Sequence, residues 1–121
     1  MKLTETSRIA VIAGGFSKER DVSLRTGKNI LDALIRLGYR AFLLDPIHDS
    51  WHQEQIDVAF IALHGAFGED GSIQSLLEAK GIPYTGSGPA ASLIGMNKYL
   101  TKQIMKQHDI PSPDYFLFSE F

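Results

Sequence analysis

The 121-residue chain contains no cysteine, which excludes a disulfide framework, a thiolate metal site and a cysteine nucleophile. It has no excess of charge of either sign. Twelve Lys and Arg stand against 14 Asp and Glu, a formal net charge of −2. An electrostatic nucleic-acid binder needs clustered surplus Lys and Arg, so that class is set aside. Long hydrophobic runs are absent too: the longest, Val-Ala-Phe-Ile-Ala-Leu at 58–63, is far short of the roughly 20 residues of a bilayer span. The first eight residues, Met-Lys-Leu-Thr-Glu-Thr-Ser-Arg, lack the apolar core of a signal peptide. The chain therefore reads as soluble and cytoplasmic, with neither membrane nor nucleic acid as partner. There is no Gly-Lys-Ser/Thr phosphate loop and no Gly-x-Ser-x-Gly elbow, which removes the two commonest nucleotide and hydrolase signatures.

What remains is the composition of an ordinary globule, 44% hydrophobic and 21% charged, with length for one core. Strand-like and helix-like segments alternate. Residues 9–13, Ile-Ala-Val-Ile-Ala, form an apolar run closed by Gly14 and Gly15, the pattern of a strand buried on both faces. The segment 19–37 carries Ile30, Leu31, Leu34 and Leu37 on one helical face, with Gly38 in the place of a left-handed cap. Residues 39–44 read as a second strand stopped by Asp45 and Pro46, and 58–63 as a third, with a polar, aperiodic stretch over 48–55 between them that reads as a loop or a poorly formed helix. A short helix over 73–80 shows Ile73, Leu76 and Leu77 on one face, before a brief fourth strand over 82–85 that Pro83 confines to an edge. A helical turn over 89–94 and a helix over 97–107, capped by Asn97, follow. This alternation predicts an α/β fold: a small doubly wound parallel sheet with helices on both faces, its ligand beyond the carboxyl ends of the strands.

Residues 1–110 make the α/β domain in this reading. Beyond the stiff Ile-Pro-Ser-Pro at 110–113, residues 114–121 carry four aromatics in eight positions, a strand with nothing in the sequence to cover it. An uncovered strand of this kind is an aggregation hazard. Residues 111–121 are therefore expected to be a linker and the first strand of an absent second domain.

The chemistry-bearing residues collect at the strand ends. The run Gly-Gly-Phe-Ser-Lys-Glu-Arg-Asp-Val-Ser-Leu at 14–24 joins a tight turn to a helix N-terminus whose free N–H groups favour anions. There Glu19 can hold an ammonium group; alternatively Glu19 and Asp21 are first-turn acids that suit the helix dipole. The run His-Gly-Ala-Phe-Gly-Glu-Asp-Gly-Ser at 64–72 has His64 able to donate to developing negative charge, or serving as a satisfied structural residue. Glu69 and Asp70 read as turn formers. Gly86-Ser-Gly-Pro-Ala-Ala matches G-x-G-x-x-A, but the only acid at the right distance, Asp109, follows a helix rather than a strand, so NAD binding is rejected. His48 and His52 beside Asp45 and Asp49 lack a supporting motif for a metal site. Lys98, Lys102 and Lys106 form a solvated helical stripe.

Taken in order, Gly14-Gly15, the Ser-Lys-Glu-Arg-Asp-Val-Ser-Leu at 17–24, His64-Gly65, the Gly-Glu-Asp-Gly at 68–71, Gln74, the Ile-Pro-Tyr-Thr-Gly-Ser-Gly at 82–88, Ala91-Ser92, the Met-Asn-Lys at 96–98 and Lys102 resemble the D-alanine–D-alanine ligases of the ATP-grasp superfamily. The resemblance covers residues 8 to about 113. It implies a preATP-grasp, Rossmann-like N-terminal domain followed by the start of the ATP-grasp domain. It also implies an enzyme that joins two D-alanines, with ATP hydrolysis to ADP and phosphate through an acyl phosphate, for peptidoglycan synthesis in the cell wall. By the same resemblance, Glu19 and His64 are catalytic. Glu19 binds the ammonium of the first D-alanine, Val22 and Ser23 line that subsite, and His64 lies near the reacting carboxyl. Lys98 reaches ATP phosphate, and Gly14, Gly15, Gly65 and Gly86 let backbone approach the ligand. ATP and Mg2+ (or Mn2+) are implied as cofactors, bound mostly by domains outside this chain, and a homodimer through this domain is implied. The usual aspartate before the lysine is Asn97 here, a change that keeps a capping residue. The 121 residues alone are then expected to be inactive. The alternatives are a stand-alone small-ligand-binding or dimerisation module, a ligase using D-lactate or D-serine as second substrate, and a generic flavodoxin-like module.

Overall fold

The computed structural model describes residues 3–50 and 54–118. Its centre is β1 (Arg8–Ile12), paired in parallel with β2 (Arg40–Leu44) on one side and β3 (Val58–Ile61) on the other, in the order β2-β1-β3. Ile12 stands opposite Leu44 and Ile61 in the two ladders. A strand with neighbours on both edges and helices on both faces has no surface left for water, so Ile9, Ala10, Val11 and Ile12 are all buried.

Helix α1 (Arg20–Arg36) crosses from β1 to β2. Its Ile30, Leu31 and Leu34 cover Val11, Ala13 and Ala62 on one face of the sheet. Gly38 ends it in the left-handed region at φ +84°, with its N–H on Ile35 and that of Tyr39 on Leu34. Leu37, expected on the buried face, is 71% exposed: it lies beyond the last full turn, where the chain swings away from the sheet. Helix α2 (Ser72–Ala79) presses Ile73 and Leu77 onto Ala10, Ile12, Leu44 and Ala59 on the opposite face, whereas Leu76 faces solvent. Helices on both faces of a parallel sheet that grows outward in two directions from β1 give the expected doubly wound arrangement.

The fourth strand contracts to one bridge, Ala59 to Tyr84. Ala59 donates to Pro83 (2.8 Å) and accepts from Thr85 (3.1 Å); Pro83 has no N–H with which to extend the ladder. Helices α3 (Pro89–Met96) and α4 (Lys98–Gln107) follow, and the Asn97 side chain accepts the Leu100 N–H at 3.1 Å as the cap of α4.

Residues 114–118 form no strand; 119–121, the rest of the expected strand, lie outside the described residues. A strand requires a partner ladder, and α4 supplies side chains instead. Lys102 donates to the Pro113 carbonyl (2.8 Å) and stands 5.1 Å from the Tyr115 ring centre, while Gln103 donates to the Tyr115 hydroxyl (2.7 Å). Lys102 is thus half-buried rather than part of a solvated stripe.

Candidate functional site

The site grows from the carboxyl ends of β1 and β3, the two strands between which the winding reverses. After β1 the chain turns through Gly14 and Gly15 at φ +90° and +76°, a conformation that glycine adopts without a steric penalty. The space over Gly14 is filled from within the molecule. A Cβ there would stand 2.5 Å from the Asp45 carboxylate and 2.8 Å from the Arg20 guanidinium. The close approach expected of a ligand at this glycine is made by an ion pair.

Ser23 is likewise turned inward. Completely buried, its hydroxyl donates to the Ala62 carbonyl (2.7 Å) and accepts the Gly14 N–H (2.9 Å). It ties the ends of β1 and β3 to the first turn of α1, and its burial keeps it out of both cleft walls described next, which corrects the expectation that it lines a subsite. Val22, on the same turn, is exposed but stands in the wall of neither cleft described next.

Glu19 precedes α1, its N–H held by the Ser17 hydroxyl at 3.0 Å. Its carboxylate lies against Gly65: a Cβ on that glycine, at φ +68°, would stand 3.0 Å from Glu19 Oε2. Phe16, Ser17, Glu19, Gly65 and Ala66 line one open cleft. Phe16 meets Phe67 edge to face beside it, ring centres 5.9 Å apart. A second cleft runs beyond the end of β3, between Thr26 of α1, His64, Glu69, Gln74 and Gly86. Gly65 lines the first cleft and its chain neighbour His64 the second, with Gly86 also in the wall of the second. At Gly86, φ is +103° and a Cβ would meet nothing within 4 Å.

The His64 imidazole is half-exposed. The Thr26 hydroxyl donates to the Val22 carbonyl (3.0 Å) and lies 3.2 Å from His64 Nε2. Nδ1 is 3.8 Å from Glu69 Oε1, beyond hydrogen-bond reach, and the other Glu69 oxygen accepts the Gly65 N–H at 2.9 Å. Asp70 shapes the loop by accepting from Phe67 (2.8 Å) and Ser72 (3.0 Å). Burial raises its pKa, but those bonds outweigh it and hold the carboxyl below its ordinary value. Buried Gln74 donates to Gly68 (2.8 Å), and its Oε1 has no partner.

Arg20 and Asp45 pair beneath the β1 turn, outside the walls of both clefts. Arg20 donates to Asp45 Oδ2 (2.5 Å) and to the Gly15 carbonyl (3.2 Å), and Asp45 Oδ1 accepts the N–H groups of Gly15 and Ile47, each at 3.1 Å. Burial works against the Asp45 charge, yet the Arg20 bond and the two amides win and lower its pKa. Thr26 carries no signal in the sequence; Ser17 and Arg20 stand in the 17–24 run without a role of their own, and Asp45 is marked there only as a strand stop and as one acid of the rejected metal face.

Lys98, at the start of α4, is exposed and lines neither cleft. The metal question reduces to donors. Asp45 is spent on Arg20 and amides, Asp49 on the Asp45 N–H (2.7 Å), and His52 lies outside the described residues. Among the described residues no group of three His, Asp or Glu side chains could hold a metal ion.

Residues 40–87 match the family model described as "D-ala D-ala ligase N-terminus". The D-alanine–D-alanine ligase of Carboxydothermus hydrogenoformans is 52% identical over 115 residues, covering 93% of this chain and 37% of that protein. That of Syntrophotalea carbinolica is 50% identical over 114 residues, with 92% and 37% covered. The crystal structure of the Bacillus anthracis D-alanine–D-alanine ligase complexed with ATP superimposes with a TM-score of 0.82 at 38% identity, over 90% of this chain and 37% of that one. D-alanyl-alanine synthetase A of Vibrio cholerae gives 0.83 at 28%, over 94% and 41%. The chain thus spans little more than a third of the curated relatives it matches. In sequence and in fold, it belongs to the D-alanine–D-alanine ligase family and corresponds to the N-terminal part of its members.

Proposed function

We propose that this chain supplies the first-substrate wall of an ATP-dependent D-alanine–D-alanine ligase. One observation carries the reading: the Glu19 carboxylate and the His64 imidazole flank a single peptide, His64–Gly65, at the strand ends. An amino acid offers an ammonium and a carboxylate a few ångströms apart. Glu19 takes the ammonium, and His64 stands toward the carboxylate. That carboxylate attacks the terminal phosphorus of ATP, releasing ADP and leaving an acyl phosphate. The amine of a second D-alanine then attacks the acyl carbon, phosphate departs and an amine proton is lost. His64 favours the growing negative charge. Lys98 contributes its charge to ATP phosphate only if another domain brings the nucleotide to α4. The adenine pocket and the carboxylates for Mg2+ belong to the part of the relatives beyond this chain.

The dipeptide then serves peptidoglycan synthesis in the cytoplasm, with a homodimer joined through this domain, as the family resemblance implies. No helix among the described residues is long and apolar enough to cross a membrane.

The test is phosphate release by a polypeptide that carries this chain together with the remainder of its ligase. Turnover is expected to need both ATP and D-alanine. Glu19→Gln should raise KM for D-alanine about 10- to 100-fold, as loss of a charge-assisted hydrogen bond does. The 121 residues alone are expected to release no phosphate. Unaltered kinetics in Glu19→Gln return Glu19 to the role of a first-turn acid.

A further inference from the structure

Among the described residues no side-chain hydrogen bond holds the Glu19 carboxylate in place, and the position before a helix frays readily. Its neighbour Arg20, the first residue of α1, is anchored in contrast. The guanidinium donates to Asp45 Oδ2 at 2.5 Å and to the Gly15 carbonyl at 3.2 Å. Asp45 Oδ1 closes the ring by accepting the Gly15 N–H at 3.1 Å. One side-chain pair therefore fastens the start of α1 to the segments that leave β1 and β2, while Ser23, one turn on, fastens it to β1 and β3. The sequence keeps room for the pair, because any side chain at Gly14 would collide with both partners.

We propose that Arg20 and Asp45 are positioning residues that act through Glu19, setting where its carboxylate stands against Gly65 and hence how the first D-alanine is held. This rests on the functional reading above. Arg20 touches no substrate in it; the residue fixes the φ/ψ path by which Glu19 reaches the cleft. The pair also braces the fold, since the Asp45 side chain is only 10% exposed and the Arg20 side chain 31%; a small misplacement of a binding group is costly to the reaction as well, and the separate KM values distinguish the two roles.

The experiment compares Arg20→Met, Arg20→Lys, Asp45→Asn, Glu19→Gln and the double Glu19→Gln/Arg20→Met in the complete ligase, with KM for D-alanine, KM for ATP and kcat measured separately. Arg20→Met is expected to raise KM for D-alanine by about 10-fold or more and leave KM for ATP within about twofold, with Arg20→Lys recovering part of the loss. The decisive arm is the double variant. If Arg20 works only through Glu19, removing it from Glu19→Gln costs little more. Additive losses, or equal changes in both KM values, overturn the proposal while leaving the functional reading intact. A Glu19→Gln without effect sinks the reading itself. Should Arg20→Met fail to fold, Asp45→Asn, which keeps the side chain's size, removes the charge and replaces one accepting oxygen by an NH2 donor, answers the same question.

Discussion

Ser23 shows how a residue of a functional motif can be spent on architecture. Its hydroxyl satisfies two backbone groups that would otherwise be buried and unpaired, Gly14 N–H and Ala62 C=O. Ser23→Ala is expected to destabilise the chain by about 1–3 kcal/mol, because both groups lose their partner with no water to replace it. Thermal unfolding of the purified chain measures this, and an unchanged midpoint would mean the two groups find other partners. Glu19 and His64, named from the same two glycine-rich runs, do line clefts, and the structure adds Thr26 at His64. Motif membership identified the neighbourhood. Which atoms are free for a ligand depends on the direction of each side chain, and residues one turn apart on α1 point to opposite fates.

At the scale of elements, α1 is the piece whose seating matters most. Gly27 sits in its middle with neither a turn to make nor a positive φ, and a Cβ there would overlap that of Ala13 and press on Leu43. Alanine normally stabilises a helix interior by about 1 kcal/mol over glycine. Here overpacking, which costs about 1–3 kcal/mol, outweighs that gain. Gly27→Ala is therefore expected to lower the unfolding midpoint in denaturant, against the sign that helix propensity alone predicts; a raised midpoint would show that α1 can lift off the sheet at little cost. The apolar spacing of Ile30, Leu31 and Leu34 in the sequence found the buried face of this helix. It also included Leu37, since periodicity cannot say where a helix stops touching its neighbour. The strand over 82–85 was legible as β-like, but Pro83 reduces it to one bridge.

For the molecule as a whole, the exposed apolar surface is uneven. Phe116, Leu117 and Phe118 are 86%, 65% and 92% exposed in succession, and a run of this kind invites association. Replacing Phe116 and Phe118 by Ser is expected to leave the unfolding free energy within about 0.5 kcal/mol, as surface changes do, and to reduce self-association seen by light scattering. A large loss of stability would instead mean that these rings are buried in the solution state. The chain spans 37% of the length of the Carboxydothermus hydrogenoformans relative.

The sequence by itself determined the parallel α/β class, the three main strands, the helices between them and the two loops that carry Glu19 and His64. These follow from local periodicity, glycine placement and capping, which the chain expresses over a few residues. Only the tertiary structure decided that Ser23 braces rather than binds, that Arg20 and Asp45 fill the space over Gly14, that Gly27 is a packing contact and that residues 114–118 lean on α4 without forming a strand. Each of those outcomes depends on partners far apart in the chain: 39 positions separate Ser23 from Ala62, and 25 separate Arg20 from Asp45. No local pattern encodes such a meeting; it exists once the sheet has aligned the strand ends.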